Sequence, residues 1–209
     1  DSYGPPPVPA AIVNDLSQWY ASVEKLRGIA EQTNASVIFG HDAEQLWSLR
    51  RSPDGTMLWD TSCPRDWEER WVPTGLHEFF PYDRVTEEQY LDQRLAQLNL
   101  GPEDLDYVVF SHLHFDHAGN ARMFDGTGPR LVVNDKEKEF ALGFEGLFTG
   151  AHLKTDYEGL DFETVSGDTQ FLPGVTLIEA PGHTPGTMAL RVDLADEGTM
   201  IFTSDAIYM

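Results

Sequence analysis

A single cysteine, Cys63, in 209 residues leaves nothing for it to pair with inside the chain. That rules out an internal disulfide and fits a reducing, cytoplasmic setting, with Cys63 a bystander far in sequence from every His/Asp cluster. Cations are scarce as well: 14 Lys and Arg stand against 35 Asp and Glu, a formal charge of −21. Such a field repels nucleic acid and anionic membrane surfaces and argues against a nuclease with an open polyanion groove. No apolar run approaches the roughly 20 residues of a membrane-spanning helix. The opening Asp1-Ser2-Tyr3-Gly4-Pro5-Pro6-Pro7 has neither a basic nor an apolar region, so no signal peptide is expected. Neither a nucleic-acid nor a membrane partner is anticipated.

What is present describes an ordinary globular chain: 41% hydrophobic and 11% aromatic residues, enough to bury a core in one domain spanning 1–209. Leu16, Trp19, Tyr20, Val23, Leu26 and Ala30 recur at helical spacing over 14–33. Ser36 to Phe39 then reads as a buried strand that delivers His41 and Asp42 at its end. Thr56 to Asp60 reads as another strand, introduced by the turn Pro53-Asp54-Gly55. A second helix is expected over 86–99, where Thr86 and Gln89 have capping-box spacing and Leu91, Leu95 and Leu98 form the apolar face. Further strands are expected at 106–110, 130–133, 169–172, 175–180, 188–193 and 199–203, with a charged helix near 135–142. Strands alternating with helices, with polar clusters at strand ends, indicate an α/β or mixed layered domain.

The chemistry is concentrated after the strand at 106–110. His112, His114, Asp116 and His117 place three imidazoles and a carboxylate within six residues. Imidazole and carboxylate are preferred ligands of borderline divalent cations such as zinc, and so dense a cluster is costly to bury without partners. Two more strands end on candidate ligands. His183 sits in Pro181-Gly182-His183-Thr184-Pro185-Gly186, either as a ligand or as a structural loop residue. Asp205 follows Met200-Ile201-Phe202-Thr203-Ser204, either as a ligand or as a helix N-cap. His77 and His152, with no motif around them, read as surface residues.

In this order the motifs resemble the metallo-β-lactamase superfamily, and more narrowly its N-acyl-homoserine lactonase (quorum-quenching) branch. Phe115 within the histidine motif, Asp205-Ala206-Ile207-Tyr208, and Phe39-Gly40-His41-Asp42-Ala43-Glu44-Gln45 carry the narrower resemblance. It implies a four-layered αββα sandwich with the site at the shared edge of its two sheets. It also implies two divalent ions, zinc or alternatively cobalt, manganese or iron. His112, His114 and His183 would hold one, and Asp116, His117 and His41 the other, with Asp205 bridging. One departure is large, because the family's His41-type segment follows the bridging aspartate and here it comes first. Read as a circle, Tyr208 and Met209 lead into Asp1, and one helix then leads to His41. The motif order therefore implies a circular permutant, in which 1–52 corresponds to the family's C-terminal part and 56–209 to its N-terminal and central part. The strands that usually precede Leu58-Trp59-Asp60 are hard to find.

By the same resemblance, a hydroxide bridging the two metals attacks the lactone carbonyl of an N-acyl-homoserine lactone. Tyr208 donates to the developing oxyanion, and Asp116 assists the leaving alkoxide. Asp42 could orient a ligand. Trp67, Trp71, Phe79, Phe80 and Phe115 could wall an acyl-chain pocket, or the aromatic stretch could be a satellite core. The alternatives are another hydrolase on the same site (a glyoxalase II-like thioesterase, a β-lactamase or a phosphotriesterase) or a metal-binding but inactive scaffold.

Overall fold

The computed structural model describes residues 13–39, 49–79 and 85–207. In chain order the elements begin with α1 (Leu16–Thr33), β1 (Ser36–Ile38), β2 (Leu49–Ser52), β3 (Gly55–Trp59), α2 (Trp67–Trp71), α3 (Leu76–Phe79) and α4 (Leu91–Gln97). Next come β4 (Tyr107–Val109), α5 (Phe115–Ala118), β5 (Arg130–Asn134), α6 (Asp135–Gly143), β6 (Phe148–Thr149), β7 (His152–Leu153) and α7 (Lys154–Tyr157). The last five strands are β8 (Phe162–Val165), β9 (Thr169–Leu172), β10 (Val175–Glu179), β11 (Met188–Leu194) and β12 (Gly198–Phe202). Contacts divide the chain into two units. The first holds the described residues of 1–47, 133–140 and 164–209, and the second those of 48–132 and 141–163.

The first unit is built on a five-stranded sheet in the order β1-β12-β11-β10-β9. β9 to β12 pair antiparallel, whereas β1 lies parallel to β12 with Ser36 opposite Met200 and Ile38 opposite Phe202. Asp15 opens α1 by accepting from Gln18 N at 3.0 Å, which satisfies one of the unpaired N–H groups of the first turn. Asn34, at φ 51, closes it in the left-handed conformation that short amide side chains tolerate. Trp19, Val23 and Leu26 form the buried stripe of α1 and cluster with Ile178, Ala189, Ile201 and Ile207. Each large side chain so buried contributes about 1.5–3 kcal/mol. Leu16 and Tyr20, which share the helical spacing, are exposed, so the stripe is narrower than the pattern suggests.

The second unit carries the sheet β2-β3-β4-β5-β8 and the small hairpin β6-β7. β2 and β3 form the hairpin that Pro53-Asp54-Gly55 announces, with Gly55 at φ 131. β3, β4 and β5 run parallel. Their buried runs Met57-Leu58-Trp59 and Val108-Val109-Phe110 are nearly continuous, as parallel strands require.

The helix expected over 86–99 is two pieces. Thr86 and Gln89 do make the capping box, but around a single 3-10 turn at Glu87–Gln89, and Tyr90 is extended (φ −67, ψ 147) before α4 begins. Arg65 spans the break. It binds Glu87 and Asp92 on either side and lies 4.3 Å from the centre of the Tyr90 ring. Of the expected apolar face Leu95 is buried and Leu98 is exposed. The mixed α/β class with two sheets agrees with expectation. Among the described residues no helix is long and apolar enough to cross a membrane.

Candidate metal centre

In the second unit, β3 and β4 end side by side and each delivers a polar residue. Asp60, at the end of β3, sits at φ 59. One of its carboxylate oxygens accepts from Ser111 N (2.7 Å). The other accepts from Ser111 Oγ (2.8 Å) and faces His117 Nδ1 at 3.0 Å. A carboxylate only accepts, so His117 carries its proton on Nδ1 and presents Nε2 as the free-electron-pair nitrogen. His112 Nε2 and His114 Nδ1 lie 3.1 Å apart, and the donor atoms of His112 and His117 also lie within 4.8 Å of each other. Two imidazole nitrogens that converge this closely can share a proton or face a common cation. Asp116 stands on the same turn, its carboxylate 3.8 Å from His117 Nε2.

The turn is strapped from behind. Thr61 N and Oγ1 both donate to His117 O, and Asn120 Nδ2 donates to Thr61 O and Cys63 O. A Cβ on Gly119 would meet Pro64 Cδ at 2.4 Å and Phe115 O at 2.5 Å, so only glycine fits there. Arg70 donates to Gly119 O (2.9 Å) and to Asp156 Oδ1 (3.1 Å). Burial pushes the Asp156 carboxyl up to about 6, against the pull of Arg70 toward the ionised form.

His152 is buried rather than on the surface. It forms an antiparallel bridge with His114, and the two rings meet edge to face at 4.4 Å. This backbone pairing across the sequence is what a lone histidine in a polar stretch conceals. His77 is half-buried.

In the first unit, His183 and Asp205 come together although they lie on separate loops. His183 Nε2 is 3.2 Å from Asp205 Oδ2, and both side chains are about 5% exposed or less. Asp205 lies within the 3-10 turn Ser204–Ala206 rather than capping a helix.

Trp71 and Phe115 meet edge to face at 4.5 Å in a buried cluster with Cys63, Leu76 and Leu153, and half-buried Trp67 packs against it. His41, Asp42, Phe80 and Tyr208 lie outside the described residues, as does the side chain of Phe79. The reading of the sequence overlooked Asp60, Ser111, Arg70 and Glu137. Of these, only Asp60 carried a signal, as a carboxylate ending an apolar strand like the other candidates.

A set of imidazoles and carboxylates delivered at strand ends is that of an α/β metalloprotein. The chain belongs to the metallo-beta-lactamase superfamily, whose model matches residues 44–209. An N-acyl homoserine lactonase of a Bacillus species is 36% identical over 165 residues, which are 77% of this chain and 62% of that protein. The N-acyl homoserine lactonase AiiB of Agrobacterium fabrum is 34% identical over 176 residues, with the same shares covered. A solved N-acyl homoserine lactone hydrolase, with the product N-hexanoyl-L-homoserine bound at its catalytic metal center, matches at a TM-score of 0.62 and 29% identity. That match covers 77% of this chain and 62% of the solved one. The chain thus spans about three-fifths of the length of these relatives. Family and donor residues together point to divalent metal use.

Proposed function

We propose that this chain is a dinuclear metal hydrolase that opens the lactone ring of N-acyl-homoserine lactones. The observation that carries the reading is the cluster of His112, His114, Asp116 and His117 after β4, in a chain whose relatives are N-acyl homoserine lactonases. The donor chemistry fits divalent cations: imidazole nitrogens converge, and Asp60 fixes the tautomer of one of the rings. His112, His114 and His183 are assigned to one ion, Asp116, His117 and His41 to the other, and Asp205 to both. Bound zinc, or cobalt, manganese or iron in its place, supplies Lewis acidity and lowers the pKa of water toward about 7.

The side chains do the rest. Asp60 holds His117, and Tyr208 donates a hydrogen bond to the carbonyl oxygen as charge develops there. Asp116 takes the proton left on the attacking oxygen and passes it to the ring's leaving alkoxide as the ring C–O bond breaks. Trp67, Trp71, Phe79, Phe80 and Phe115 are assigned to the wall of the acyl-chain pocket.

We further propose that the motif order is a circular permutation of the family's. Two observations support it: β1 lies parallel to β12, and α1 packs on Ala206 and Ile207, just beyond the Asp205 strand. The segment leading to His41 is thereby joined to the sheet that leads to Asp205.

The test is metal analysis of the purified chain together with hydrolysis of short- and long-chain N-acyl-homoserine lactones, followed by pH drop. About two ions per chain, lactone opening, its abolition by His114→Ala and the loss of one ion in His41→Ala are expected. Two ions without lactone opening would move the search to thioesters and phosphotriesters. A full complement of metal in His41→Ala would overturn the permutation.

A further inference from the structure

Within the first unit, the loop that carries His183 is pressed against two helices, and each contact falls on a glycine. At Gly182, φ 138, a Cβ would come 2.3 Å from the backbone of Trp19 in α1. At Gly186 a Cβ would come 2.3 Å from Glu137 N in α6. On the α1 side the fastening is by backbone: Asn14 N donates to His183 O at 3.1 Å and Asp15 N to Gly182 O at 2.8 Å. Ser22 Oγ adds a bond to Pro181 O at 2.7 Å.

On the α6 side the fastening is a carboxylate. Glu137 is wholly buried, and its Oε2 accepts from Thr184 Oγ1 at 2.6 Å and from Gly186 N at 3.2 Å. Thr184 N in turn donates to Thr187 Oγ1 at 2.9 Å, and the two threonine hydroxyls are 2.7 Å apart. A buried carboxylate is costly to desolvate and is kept only where several donors meet it. With Glu137 accepting the Thr184 proton, Thr184 Oγ1 is left as an acceptor for the Thr187 hydroxyl, which also lies 3.4 Å from Thr184 O. His183 sits between the α1 bonds and this network, one residue before Thr184.

We infer that Glu137 is a positioning residue for His183: it sets the loop so that the imidazole is presented ready-made to a metal ion. The inference rests on the proposed reading of His183 as a ligand. Glu137 acts on the loop through Thr184 and Gly186.

The experiment measures zinc affinity by chelator competition in the wild type, Glu137→Gln, Glu137→Ala, Thr184→Val and the Glu137→Ala/Thr184→Val double variant. Thermal unfolding of the metal-free proteins accompanies it. Glu137→Ala and Thr184→Val should each weaken zinc binding about 10- to 100-fold, the usual cost of losing a group that orients a ligand. The double variant should lose little more than the worse single, because the two act as one unit. Glu137→Gln keeps an acceptor at the same place and should bind within about threefold of wild type. The metal-free unfolding temperature of Glu137→Gln should stay close to that of wild type, whereas Thr184→Val, which takes a donor from a buried carboxylate, should unfold several degrees lower.

Unchanged zinc affinity in Glu137→Ala and Thr184→Val, with lowered metal-free stability, would show mere structural support and overturn the inference. If Glu137→Ala does not fold, Thr184→Val decides the matter: wild-type zinc affinity in that variant overturns the inference. A wild type that binds no zinc, while all variants fold alike, would instead overturn the parent reading and this inference with it.

Discussion

The two units hold their candidate ligands by different means. In the second, His112, His114, Asp116 and His117 lie on one short turn, so chain connectivity itself gathers them, and Asp60, Ser111 and His152 refine their aim. In the first, His183 and Asp205 come from separate loops, and nothing local brings them within 3.2 Å. Sheet pairing of β10, β11 and β12 does that, with a buried network to hold one loop in place. A dense motif needs tuning, whereas a sparse one needs scaffolding. The difference predicts where substitutions remote from the ligands will matter.

The largest expected effect is on the stability of the second unit. The raised pKa of Asp156 means that the folded state holds this proton more tightly than the unfolded chain does. Its stabilisation is complete below the usual aspartate range and is lost as pH rises through about 6. The shift corresponds to about 3 kcal/mol at most. Asp156→Asn should remove this component, so urea midpoints of wild type and variant should converge or cross between about pH 4 and about pH 7, with wild type losing ground as pH rises. Parallel curves would show that Arg70 keeps the carboxylate ionised throughout. Next, Asp60→Ala should weaken zinc binding about 10- to 100-fold, because His117 loses the acceptor that fixes its tautomer. Chelator competition reads this directly, and unaltered affinity would mean that the turn alone places the imidazole. Smallest, and outside the described residues, Tyr208→Phe should lower kcat for lactones about tenfold with metal content full. Unchanged turnover would remove Tyr208 from the proposed chemistry.

Legibility followed the same division. The histidine motif, α1 and the Pro53-Asp54-Gly55 hairpin could be read because each is made by near neighbours in sequence. The capping box at Thr86 was read correctly, yet the helix behind it is interrupted at Tyr90, where Arg65, more than twenty residues upstream, bridges Glu87 and Asp92. His152 escaped because its partner, His114, reaches it through a backbone bridge across the sequence. Glu137 looked like one more charge on a charged helix, since the Thr184 hydroxyl and Gly186 N–H that bind it are almost fifty residues away. Periodicity reports which face is buried; it does not report which polar groups meet there.

The backbone bonds from Asn14 and Asp15 to the His183 loop also bear on how the protein folds. They join positions separated by most of the chain, so they are contacts of high sequence separation, which carry a large loop-closure entropy. The histidine turn after β4 can form from local contacts early in folding. The His183 loop is complete only with α1 docked on it, so the ordering of this loop and the docking of α1 are coupled.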